Sequence, residues 1–102
     1  MPSGTKQLWA RPGAWGPWVE LPAILSGQFR VRIDATTESN APSSFEMEVE
    51  YYDENGRHVT ERGFGPFDFV TEKDATQQIT FRAKSHSFGQ NLRVSWSISA
   101  IR

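Results

Sequence analysis

Four runs of this sequence alternate apolar and polar residues one for one. In QFRVRIDAT, Phe29, Val31, Ile33 and Ala35 are separated by Arg30, Arg32 and Asp34. In FEMEVEYYD, Phe45, Met47, Val49 and Tyr51 alternate with Glu46, Glu48, Glu50 and Tyr52. Ile79, Phe81 and Ala83 follow the same rule in QITFRAK, as do Leu92, Val94, Trp96, Ile98 and Ala100 in NLRVSWSISA. A strand turns successive side chains to opposite faces, so each run reads as a strand with one buried and one wet face. No window carries the 3.6-residue stripe of a helix. The expected class is all-β, with two antiparallel sheets packed face to face. Trp96 falls in phase with the inward set and is expected in the core.

The chain has 102 residues, which is the size of one domain, 1–102. The four clear strands lie in 27–102. Residues 1–26 read as an irregular Trp/Pro/Gly-rich segment, in which WVELPAIL is a weak strand candidate broken by Pro22. Eleven Lys and Arg stand against 12 Asp and Glu, a net charge of -1. That balance argues against a nucleic-acid partner, which calls for a basic stripe. No apolar run approaches the length of a membrane-spanning helix, and MPSGTKQLWA lacks the apolar stretch of a signal peptide. Without cysteine there is neither a disulfide nor a thiolate metal site, and the compartment is not legible.

Turn chemistry sets two connections. TTESNAPSS, residues 36 to 44, is a polar turn cluster. Were its flanking strands paired, Arg30 would face Glu50 and Arg32 would face Glu48. DENG, residues 53 to 56, is a hairpin turn with two possible registers. Asn55-Gly56 as a type I′ pair sets Tyr52 opposite Val59. A type I turn opened by Asp53, with Gly56 in the left-handed bulge position, sets Tyr51 opposite Val59 and Glu48 opposite Arg62. The second register is preferred because it keeps Val59 on the buried face. As a calcium loop DENG lacks the later ligands of an EF-hand. GFGPFDF reads as an irregular edge segment whose Phe64, Phe67 and Phe69 close the core.

The inventory for catalysis is thin. His58 and His86 lack neighbouring ligands at metal-binding spacing, so no metal site is assigned and each reads as a surface histidine. No glycine-rich phosphate loop leads into a helix, and no nucleophile stands beside a base. A non-enzyme without a cofactor is the expectation.

WARPGAWGPW, residues 9 to 18, holds three tryptophans among two prolines and two glycines. A polyproline-type turn would put Trp9, Trp15 and Trp18 on one side. A strand would pair Trp9 with Trp15 and turn Trp18 away. The rings are then either a stacking platform or a lid over the core. Tyr52, out of phase with Tyr51, is a further candidate for exposure. A ligand site is expected at Trp9, Trp15, Trp18 and Tyr52, with Arg11 and Glu20 as polar helpers.

From FRVRIDAT through a polar loop to FEMEVEYYDENGRHV, then QQITFRAKS and LRVSWSIS, the order of elements resembles the jelly-roll carbohydrate-binding modules with a galactose-binding-like fold. The resemblance covers roughly residues 27 to 100. It departs where Gln77 and Gln78 stand in place of a tryptophan, and in the shortness of the chain. It implies a jelly-roll sandwich and non-catalytic glycan binding in a groove or at loop tips, sometimes with a structural calcium. It assigns no binding residue. The expected function is a lectin-like module with a carbohydrate ligand. The alternative is a structural or assembly subunit of a virus particle or secreted complex, with the tryptophan segment as a protein–protein contact and a homo-oligomer as the product.

Overall fold

The structure is a computed structural model that describes residues 3–101. It is all-β. Eight strands are found among the described residues: β1 (Ser3–Pro12), β2 (Val19–Ser26), β3 (Phe29–Thr37), β4 (Phe45–Tyr52), β5 (His58–Gly63), β6 (Phe67–Val70), β7 (Thr76–Ser85) and β8 (Gln90–Ala100). No helix there is long and apolar enough to cross a membrane. Hydrogen bonds join the strands into one sheet in the order β5-β4-β7-β1-β8-β3-β6, with β2 also on β7. An isolated bridge from Asp53 to Thr71 nearly closes it.

Most of the alternating residues face inward as the pattern requires, although Phe29 and Phe45 are half-buried and Ala100, at the end of β8, is exposed. Val31, Ile33, Ala35, Met47, Val49, Tyr51, Ile79, Phe81, Ala83, Leu92, Val94 and Ile98 are all buried in one core. Tyr51 stacks on Phe69 at 3.7 Å between ring centroids and so ties β4 to β6 across that core. Trp96 packs against the core but is only half-buried. It lies over Gly4, where a Cβ would come within 2.7 Å of the ring. Phe67 and Phe69 are buried as expected, whereas Phe64 stands out in solvent on the loop before β6.

Within the N-terminal segment, the described residues are mostly strand, with β1 and the weak candidate WVELPAIL, realised as β2, on either side of the loop 13–18. Leu8 and Ala10 point inward from β1, and Leu21 and Leu25 from β2. The first eight residues of β1 pair antiparallel with β8, then Arg11 and Pro12 pair parallel with Lys84 and Ser85 of β7. β2 survives Pro22 because the register with β7 shifts between Glu20 and Ile24, which places the residue without an N–H at an irregularity in the ladder.

The hairpin adopts the bulged register. Tyr51 pairs with Val59 and Glu48 with Arg62. Asp53 Oδ1 accepts from the amides of Asn55 and Arg57, each at 2.9 Å. Gly56 takes a φ of 76°. The pairing proposed across the polar loop is not formed. β3 lies between β8 and β6, and β4 between β7 and β5. Arg30 and Arg32 meet Asp68 instead, at 3.7 and 4.0 Å.

Candidate functional site

The outer face of β2, β7, β4 and β5 is built of registered rows. Glu20, Thr80, Glu50 and Thr60 form one row across the four strands. Two residues along β7, Arg82, Glu48 and Arg62 form the next. On the other side of the first row, Tyr52 pairs with His58 at the hairpin end.

Glu48 belongs by parity to the wet face, yet it is only 4% exposed. The cause is the loop 13–18, which folds back over it. Gly13 and Gly16 donate their amides to the carbonyls of Ser85 and Ala83, so this loop runs on along the edge of β7 even though Pro17 cannot donate. Trp15 is thereby set above three cations. Lys84 Nζ lies 4.9 Å, Arg82 5.0 Å and Arg62 5.6 Å from its ring centroid. Glu48 is held from both sides, by Arg62 at 2.9 Å and by Arg82 Nε at 2.7 Å. Burial alone would raise its pKa. The two guanidiniums outweigh burial and hold it below the usual carboxylate value. Trp15 is thus half-buried as a roof on an ion network, and neither lids the core nor stands free as a platform.

Trp18 and Tyr52 are the open rings of this face. Trp18 is 39% exposed, with Arg82 4.4 Å from its centroid. Tyr52 is 46% exposed and tilts against His58 at 5.2 Å. Where the β4–β7 ladder stops, the side-chain amide of Gln77 takes over. It accepts from the Tyr52 N–H and donates to the Tyr52 carbonyl, each at 2.9 Å. Tyr52 is therefore held in the sheet although β7 no longer pairs with it through backbone. Between Trp18 and Tyr52 lies a polar floor of Glu20, Thr80 and Glu50, which dips beside Tyr52 into a hollow of about 220 Å³. His58 Nε2 lies 3.2 Å from Glu50.

Four of the six expected residues, Trp15, Trp18, Glu20 and Tyr52, share this face. Arg11 reaches its margin through its pairing with Lys84. Trp9 does not join them. It pairs with Asn91 on β8 and lies 52% exposed beside Phe88. As site residues the sequence reading missed Arg82, Lys84 and Gln77, and it placed Arg62 opposite Glu48 only as a pair of the hairpin register. Arg82 and Lys84 were legible only as the wet side of an alternating strand. A cavity of about 550 Å³ opens elsewhere, between Asp34, Phe45 and Phe64, and none of the six residues lines it.

Compared with known proteins, the chain matches no family model, no curated protein and no solved structure.

Proposed function

We propose that the chain is a non-catalytic, lectin-like binding module that holds carbohydrate across the outer face of β2, β7 and β4. The reading rests on one observation. Trp18 and Tyr52 are both exposed on that face and bracket a floor of carboxylates and hydroxyls. The rows of Trp18 and Tyr52 are four residues apart along β7, about 13 Å at strand rise, which suits an oligosaccharide better than a single sugar. Aromatic faces stack on the apolar faces of sugar rings, while Glu20, Glu50 and Thr80 accept or donate hydrogen bonds to hydroxyls. The jelly-roll sandwich belongs to the same proposal, with β5-β4-β7-β2 and β1-β8-β3-β6 as facing halves joined where β1 changes partner.

Binding to a glycan array at micromolar protein, repeated with Trp18→Ala/Tyr52→Ala, tests it. The expected outcome is weak binding, micromolar to millimolar, lost in the double variant with unchanged circular dichroism. Binding that survives in the variant rejects the face. The assembly reading finds less support, because Trp15 is engaged by cations of its own chain. It predicts no sugar signal and an oligomer on light scattering that Trp18→Ala converts to monomer.

A further inference from the structure

We infer that the groove between Trp9 and Phe88 is a second sugar site, separate from the Trp18–Tyr52 face, that takes a neutral, hydroxyl-bearing ring. Its ligand class rests on the carbohydrate reading above, but its location does not. The groove has a volume of about 430 Å³. Trp9 at 52% and Phe88 at 44% exposure line it. The Trp9 ring is seated by the absence of a side chain at Gly89, where a Cβ would lie 2.4 Å from the ring carbon Cζ2. Pro12 supports the same spot.

The polar side of the groove is fixed in place. Glu38 accepts from Gln7 Nε2 at 3.0 Å through one oxygen and from Arg93 at 3.3 Å through the other. Both oxygens keep lone pairs for a ligand, because a carboxylate accepts about four hydrogen bonds. Asn91 adds an amide beside Trp9. Beneath the groove, Gln90 turns to the core side of β8 in phase with Leu92 and Val94, where its amide nitrogen donates to the Ser43 carbonyl at 2.6 Å and to Ser85 Oγ at 3.1 Å. An aromatic wall, a held carboxylate and the side-chain amides of Gln7 and Asn91 together suit a ring that is apolar on its face and rich in hydroxyls at its edge. The carboxylate disfavours an anionic ligand. A second depression, of about 240 Å³, shares Gln7 and Glu38 and extends the groove toward Lys6 and Arg93, which leaves room for a second ring.

The test is nuclear magnetic resonance of the isotope-labelled full chain, titrated with methyl glucoside, methyl galactoside, methyl mannoside and N-acetylglucosamine in the millimolar range. The expected result is movement of the Trp9 indole N–H and of the Gln7 and Asn91 side-chain amides by at least one sugar. The movement persists in Trp18→Ala/Tyr52→Ala. It weakens at least tenfold in Trp9→Ala and in Gly89→Ala, the latter displacing the ring without removing it. Phe88→Ala serves as the control if Trp9→Ala fails to fold. Shifts confined to Trp18 and the β4–β7 face overturn the second site and leave the proposed function standing. Shifts at neither location, with all four sugars, overturn the second site, while the Trp18–Tyr52 face stands or falls by the glycan array.

Discussion

Glu48 shows how far one residue can depart from its place in a pattern. Alternation assigns it to solvent, and its neighbours Met47 and Val49 are buried too. Removing its charge leaves Arg62 and Arg82 side by side beneath Trp15 with one neutral amide oxygen where two carboxylate oxygens accepted. Glu48→Gln is expected to lower stability by about 1–3 kcal/mol, less than a fully buried pair costs because the arginines stay partly wet. The pH dependence follows from the direction of the shift. The folded-state pKa lies below the unfolded value of about 4.3, so the contribution is complete above that value and is lost as pH falls through the folded pKa. Urea melts at neutral and acid pH check this. The wild type should lose stability on acidification, and Glu48→Gln should lose measurably less. Nothing in the local sequence marks Glu48 among Glu46, Glu48 and Glu50, because its distinction comes from a loop 30 or more positions earlier in the chain.

Among the elements, the hairpin was legible, β2 showed only as the weak candidate WVELPAIL, and β1 was not read. Asp53 and Gly56 carry the turn through their own side chain and backbone, so adjacent residues suffice to read its register. Gly56→Ala places a Cβ on a left-handed backbone, 3.1 Å from Glu72 Oε1. The expected loss is about 1–2 kcal/mol in a denaturant melt, and an unchanged midpoint rejects the bulged turn. β1 was hidden, and β2 faint, for a physical reason. Prolines and glycines interrupt their alternation, yet Pro12 closes β1 and Pro22 sits at a ladder shift, so neither breaks the sheet. In the tryptophan loop, Gly13 and Gly16 find acceptors on β7.

At the level of the whole molecule, the sheet is drawn toward closure where β4 and β6 end. Thr71 is fully buried there. Its hydroxyl accepts from the Phe29 N–H at 2.8 Å and donates to the Gly27 carbonyl at 3.0 Å. Thr71→Val keeps the shape and strands both backbone groups, so a loss of about 1–3 kcal/mol is expected in thermal or urea unfolding. A variant as stable as wild type rejects this role. The all-β class, most inward residues of β3, β4, β7 and β8, and the Tyr51–Val59 register followed from the sequence by itself, because each depends on side-chain period or on turn residues within a few positions. Which strand lies beside which did not follow. Arg30 and Arg32 were equally suited to Glu50 and Glu48 or to Asp68, since exposed ion pairs are too weak to choose partners. That choice, and with it the burial of Glu48 and the separation of Trp9 from Trp18, was made by the tertiary structure, where one core must be filled by all eight strands at once.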